Sequence, residues 1–248
     1  MSVITRPVQQ LIDEAKAQNR TLLAVLIDPD KADPHHLDSL LSNTDGLADL
    51  YFIGGSLVTE NALDTTIRHI KGRSTVPCVL FPGSAVQVSP EADAILFISL
   101  ISGRNPDLLI GQHVVAAPRV REFGLEVLPV GYMLVDGGRA TTATYMSHSL
   151  PIPAHKPDIA ACTGMAGEML GLRSLYLDAG SGADKPVPAD MIAAVRQHCH
   201  TPIIVGGGMR TPEQLFSAAS AGANVVVVGN ALESEPGLAL EMKAALAK

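Results

Sequence analysis

Little in this chain suits a membrane span or a polynucleotide. Apolar runs such as Leu22–Ile27 and Val225–Val228 fall far short of the ~20 residues that cross a bilayer. No Lys/Arg run occurs and the formal net charge is -7, which excludes a protein that grips nucleic acid by bulk charge. Cysteine is scarce: Cys78, Cys162 and Cys199 are scattered, odd in number and without CxxC spacing. That excludes a disulfide framework or a cysteine zinc site and reads as free thiols of a reducing cytoplasm. The segment Met1–Arg20 has Asp13 and Glu14 and no apolar centre, so it does not read as a signal peptide. GxGxxG after the first strand and GxSxG are both missing, against a dinucleotide fold and a nucleophile elbow. The histidines show no metal spacing: His35-His36 and His198/His200 read as surface pairs at helix ends.

What is present is a core-rich chain of 248 residues, 47% hydrophobic, with 22 Gly and 17 Pro. That composition and size suit one large α/β domain over residues 1–248. Apolar runs recur in βα alternation: Leu22–Ile27, Leu50–Ile53, Val76–Phe81, Ala94–Ile98, Leu125–Val130, Ser174–Leu177, Pro202–Val205 and Asn224–Val228. They read as strands buried on both faces. Between them, helical patterns are expected at Pro7–Gln18, Pro34–Ser42 with Asp33 as N-cap, and Thr59–Lys71 with Thr59 as cap. Further helices are expected at Pro106–Phe123, Pro157–Leu170, Pro188–His198, Pro212–Ala221 and Ser234–Ala247. Eight strands in this order predict a single (β/α)8 TIM barrel. One unit is short: Pro82–Asp93, with Pro82, Gly83 and Pro90, leaves no room for a full crossover helix. The third helix of the barrel is therefore expected to be missing or replaced by a loop, leaving an apolar flank open as a binding groove. Gly131–Pro153 reads as a long functional loop.

The last three strands each end in glycine: Tyr176-Leu177-Asp178-Ala179-Gly180-Ser181-Gly182, Gly206-Gly207-Gly208 and Gly229-Asn230. Turns after the final strands of such a barrel present backbone N–H groups to a phosphate. The chain is thus expected to hold a small phosphate ester by local geometry. Catalytic groups of barrels sit at the C-terminal ends of strands. Asp28 after the first strand and Ser56 after the second, beside phosphate oxygens, suit Mg²⁺, which keeps waters and takes few protein ligands. Asp178 can hydrogen-bond a substrate hydroxyl or act as its general base. Tyr176, two residues earlier, points to the same side and can reach a phosphate or glycerol oxygen. Arg104 and His113 lie near the expected groove, where a cation can meet a second phosphate group.

These segments resemble the geranylgeranylglyceryl phosphate synthase family, which includes the heptaprenylglyceryl phosphate synthases of bacteria. The carriers are Leu26-Ile27-Asp28-Pro29-Asp30-Lys31, Phe52-Ile53-Gly54-Gly55-Ser56, Ser102-Gly103-Arg104-Asn105-Pro106 with Ile110-Gly111-Gln112-His113, Tyr176–Gly182, and the two later glycine turns. The stretch Ile152–Ala161 looks like the larger family group, found in archaea and some bacteria. The resemblance implies transfer of a polyprenyl group, geranylgeranyl in the main case, to the sn-3 oxygen of sn-glycerol 1-phosphate. It places Mg²⁺ on Asp28 and Ser56. It places glycerol phosphate on Tyr176–Gly182, Gly207-Gly208 and Gly229-Asn230. It also implies a cytoplasmic homo-oligomer, dimer or hexamer, in transient contact with membranes. One departure stands out: the acid two after the tyrosine is commonly Glu, and here it is Asp178. Competing readings are a longer donor such as heptaprenyl diphosphate, a phosphosugar isomerase or lyase, and a non-catalytic phosphate-binding barrel.

Overall fold

The computed structural model describes residues 7–59 and 62–247. The first six residues of the N-terminal segment, and residues 60 and 61 of the helix Thr59–Lys71 expected after the second strand, lie outside them. Eight parallel strands close in sequence order: β1 (Leu22–Ile27), β2 (Leu50–Ile53), β3 (Cys78–Leu80), β4 (Ala94–Leu100), β5 (Glu126–Leu134), β6 (Ser174–Asp178), β7 (Ile203–Gly206) and β8 (Val225–Val228). Strand β8 returns to β1 with Leu22 opposite Val225. This is the TIM barrel expected from the alternation.

Alternation along each strand divides the core into two layers. Leu22, Ala24, Phe52, Leu96, Val130 and Val225 fill the barrel interior, while Leu23, Val25, Tyr51, Leu177 and Val226 pack beneath the surrounding helices. Both faces are apolar because both are covered. Complete burial of one such Leu or Phe side chain is worth about 1.5–3 kcal/mol. The first helix, α1 (Val8–Ala17), plugs the N-terminal end with Val8, Ile12 and Ala15. Its N-cap Pro7 has no side-chain acceptor; the Glu126 carboxylate takes the N–H groups of Val8 (2.6 Å) and Gln9 (2.9 Å) instead. The remaining N-terminal donors of a helix need such partners.

The outer helices are α2 (Pro34–Thr44), α3 (Leu63–Lys71), α4 (Gln112–Glu122), α5 (Thr142–Ser147), α6 (Pro157–Met169), α7 (Ala189–His198), α8 (Pro212–Ser220), α9 (Asn230–Ser234) and α10 (Ala239–Leu246). Asp33 caps α2 as expected, accepting from His35 and His36 at 3.1 Å each. Thr59 is not the cap of α3. The helix starts at Leu63, and Thr59 instead donates its N–H (2.7 Å) and hydroxyl (2.9 Å) to Asp30. The expected closing helix is broken at Glu235, which adopts φ -141, ψ 78 ahead of Pro236; a residue before proline avoids the helical region. The helix expected from Pro106 begins with a π-helical turn, Asp107–Gly111.

Between β3 and β4 there is no helix. Residues 81–93 form turns and bends. Strand β3 is three residues long and pairs with β4 only through Val79↔Ala94 and Leu80↔Ile95. On β4, Phe97 and Ser99 stay half-buried on the outer face, where a crossover helix would otherwise lie, and Ile98 is half-buried on the inner face.

Candidate active site

A cavity of about 960 Å³ opens at the C-terminal ends of the strands, at the upper end of the range of ligand sites. Its floor and one wall come from the turns after β6, β7 and β8. Gly180, Gly182, Gly207 and Gly208 all have positive φ, a region open to glycine without strain. At Gly207 the requirement is also steric. A Cβ there would lie 2.5 Å from Asp178 Oδ1, 2.7 Å from Ala179 N, and closer still to Gly180 N. The β6 and β7 turns therefore touch through bare backbone. The β6 and β8 turns meet through Ser181 Oγ, 3.5 Å from Asn230 Oδ1.

Within this cradle the backbone donors divide in two. Ala179 N–H donates to Gly206 O (3.1 Å) and Gly180 N–H to Asp178 Oδ1 (2.7 Å). Those two, expected to face an anion, are already engaged. The N–H groups of Ser181, Gly182, Gly207, Gly208, Gly229 and Asn230 donate to nothing among the described residues. All six belong to residues that line the cavity. Leu177 and Ala179 point their side chains into the outer core, so only their backbone stands near the site.

Asp178 ends β6 with its side chain inward, 6% exposed. Oδ1 accepts from Gly180 N–H, and Oδ2 accepts a short hydrogen bond from the Tyr132 hydroxyl. Burial pushes the Asp178 carboxyl above the usual carboxylate range, while the Tyr132 and Gly180 hydrogen bonds pull it back. Tyr176 also points inward. Its hydroxyl lies against the bare Cα of Gly206, where a Cβ would come within 2.5 Å. Its ring stacks on Phe81 at 5.3 Å and meets Tyr132 edge-on at 5.2 Å.

Tyr132 was not legible as a site residue, because strand five was expected to end at Val130. It runs on to Leu134, and the missed signal is its period of two: Leu128, Val130, Tyr132 and Leu134 all face the barrel interior. Gly131 looks like a terminator but is a packing residue. A Cβ there would meet Ile101, Leu172 and Leu175 at 2.8–3.1 Å.

Asp28 and Ser56 both line the cavity. Asp28 Oδ1 accepts from Asp30 N–H at 3.1 Å, and Oδ2 lies 3.3 Å from Lys31 Nζ. Lys31 also approaches Glu233 at 3.7 Å, and Glu233 accepts the Asp28 N–H at 3.4 Å. Burial works against the Lys31 charge, but the carboxylates of Glu233 and Asp28 outweigh it and raise its pKa. No group of three His, Cys, Asp or Glu able to hold a metal occurs among the described residues. One carboxylate with one hydroxyl nearby suits an ion that takes the rest of its shell from phosphate oxygens and water.

The two expected cations are held in different ways. Arg104 folds back, donating to the carbonyls of Gly103 (2.7 Å), Ile101 and Ser102 (3.4 Å each), and stands outside the cavity wall. His113 does line the cavity, but it is buried edge-on against Phe97 at 4.4 Å, with Nε2 3.4 Å from Ser99 Oγ. Burial lowers its pKa, so near neutral pH it is an uncharged wall residue. Among the described residues, the Lys and Arg side chains that line the cavity are Lys31 and Arg210.

The family model described as the PcrB family matches residues 16–247. The chain belongs to the PcrB family. Similar members of known name include the geranylgeranylglyceryl phosphate synthases of Spirosoma linguale, 52% identical over 92% of each chain, and of Korarchaeum cryptofilum, 44% identical over 90% of this chain and 92% of that one. The PcrB fold is matched by the crystal structure of (S)-3-O-geranylgeranylglyceryl phosphate synthase from Thermoplasma acidophilum with its substrate sn-glycerol-1-phosphate. The TM-score is 0.92 at 28% identity, covering 98% of this chain and 99% of that one.

Proposed function

We propose that this chain is a prenyltransferase that joins sn-glycerol 1-phosphate to geranylgeranyl diphosphate. An ether forms at the sn-3 oxygen and diphosphate is released. The observation that carries this reading is a cradle of six unengaged N–H groups, set beside a buried carboxylate and opening into an apolar groove. The cradle suits a phosphate monoester. The groove, walled by Phe97, Ile98, Val88, Leu108 and Ala116, suits a polyprenyl tail, whose burial gains about 25 cal/mol per Å². The names of the relatives support both halves.

The phosphate on the β6–β8 turns fixes the glycerol, and Asp178 takes a hydrogen bond from its sn-3 hydroxyl. Tyr176 reaches a glycerol or phosphate oxygen from the floor. As the donor's C1–O bond breaks, diphosphate leaves with the bonding pair. The sn-3 oxygen gives its pair to C1 and its proton passes to Asp178. A held nucleophile replaces a bimolecular encounter, which lowers the barrier substantially. Asp28 and Ser56 would hold Mg²⁺ at the diphosphate, with Lys31 alongside. That ion, when bound, neutralises the charge of the leaving group. The reading also carries a cytoplasmic location and a homo-oligomer, dimer or hexamer; the exposed Met169 and Leu170 at the end of α6 offer apolar surface for a contact between copies. Transient contact with a membrane follows from the donor's lipid nature; no described helix is long and apolar enough to cross one.

The test is a partition assay with labelled sn-glycerol 1-phosphate, Mg²⁺ and prenyl diphosphates of C20, C25 and C35. Label entering butanol fastest with C20 is the expected result. Fastest transfer with C35 would move the assignment to the heptaprenyl donor. Label left in water with every donor would overturn prenyl transfer.

A further inference from the structure

We propose that Tyr132 is a positioning residue for the reacting carboxylate. Its hydroxyl on Oδ2, together with Gly180 N–H on Oδ1, sets the face that Asp178 turns toward the nucleophilic hydroxyl. The proposal rests on the prenyl-transfer reading above and deepens it.

The geometry comes from the barrel register. Tyr132 sits opposite Tyr176, and Leu134 opposite Asp178, so the Tyr132 ring reaches forward along the wall to the end of β6. The ring is buried and held edge-on by Phe81 at 6.1 Å and Tyr176 at 5.2 Å. Its hydroxyl therefore has little freedom to leave Asp178. An ionised carboxylate offers about four lone-pair sites. Here one on each oxygen is taken by a fixed donor, while the side chain still lines the cavity. The sites that remain serve the substrate.

The same hydrogen bond decides whether Asp178 can accept a proton. Burial favours its neutral form, and the Tyr132 hydroxyl and Gly180 N–H favour the anion. The titratable groups that face it are Tyr132 from β5 and Tyr176 on its own strand. Strand β7 presents Gly206, the turn after it Gly207, and the turn after β6 Gly180. Burial and the Asp178 charge push the Tyr132 phenol well above its usual range, so it stays a donor across neutral pH.

Tyr132→Phe keeps the ring and removes the donor. We expect kcat to fall about 10- to 100-fold, as for a hydrogen bond to a charged group. The acid limb of the kcat profile should move upward by about one pH unit, because the anion loses a stabilising donor. Calorimetric affinity for sn-glycerol 1-phosphate should change less than about threefold, since the phosphate cradle is intact. In an Asp178→Asn background the same change should cost nothing further. Wild-type kcat with an unmoved acid limb, or an equal loss in the Asn background, would overturn the proposal. Should Tyr132→Phe fold poorly, 2,3,5-trifluorotyrosine at position 132 asks the same question. A stronger donor should move the acid limb downward, and an unmoved limb would refute the role. A wild-type protein that yields no butanol-extractable product overturns this proposal and the prenyl-transfer reading together; a normal wild type beside an unaffected variant overturns this proposal alone.

Discussion

The two sides of the barrel mouth are built on opposite plans. Around β6, β7 and β8 the chain has shed side chains: the turns touch through bare backbone, and a single methyl at Gly207 has no place to go. Around β3 and β4 the chain has shed a whole helix, and half-buried Phe97 and Ile98 line a broad opening. The first plan gives many directed donors in a small volume. The second gives apolar area with little direction. A small charged ester needs the first and a long hydrocarbon the second. The difference teaches that one fold can serve two chemically unlike substrates by omitting different things on its two flanks.

The comparison can be broken at its hinge, where the two sides meet. Asp28→Ala should lower turnover by on the order of 10²–10³-fold and leave the melting curve unchanged; steady-state kinetics with a parallel thermal scan checks it. Full activity would remove the carboxylate from the diphosphate end. On the backbone side, Gly207→Ala adds a Cβ against Asp178 and Gly180 at a residue with φ +80. We expect a cost of about 1–3 kcal/mol in stability, read from denaturant unfolding. Calorimetry should show sn-glycerol 1-phosphate binding lost at millimolar ligand. On the groove side, Ala85→Trp fills space along the missing helix. The KM for the C20 donor should rise about tenfold, as if two methylene groups were excluded at about 0.8 kcal/mol each. Affinity for sn-glycerol 1-phosphate should stay within about twofold. The smallest effect belongs to His113→Gln, which should change kcat less than about threefold between pH 6.5 and 8.5. With its pKa lowered by burial, the imidazole is mostly neutral there and has little charge to lose. A large loss would restore a cationic role.

Much of this was legible in the residues. The strand runs are apolar on both faces and end in turn chemistry, so β1, β2 and the barrel order follow from pattern alone. Pro82, Gly83 and Pro90 announce the missing helix because a crossover needs length and donors they do not supply. The three glycine turns were visible as a cradle, but not which N–H groups remain to bind. That depends on pairs such as Ala179 with Gly206, which only the closed barrel brings together. Tyr132 was hidden by Gly131, whose reason is packing against Leu172 and Leu175, far from it in the chain or on another strand. Arg104 and His113 were both read as cations beside the groove, but the structure sets only His113 on the cavity wall. Sequence proximity could not show that one folds onto its own carbonyls and the other is buried against Phe97.

The division of labour across the mouth is tested most directly by a crystal structure with sn-glycerol 1-phosphate and an unreactive thio-analogue of geranylgeranyl diphosphate. The account predicts phosphate oxygens within hydrogen-bond reach of the Gly207-Gly208 and Gly229-Asn230 N–H groups, the sn-3 hydroxyl on Asp178, and the tail lying between β3 and β4 against Phe97. A phosphate bound away from the three turns, or a tail leaving the mouth without entering that gap, would contradict it.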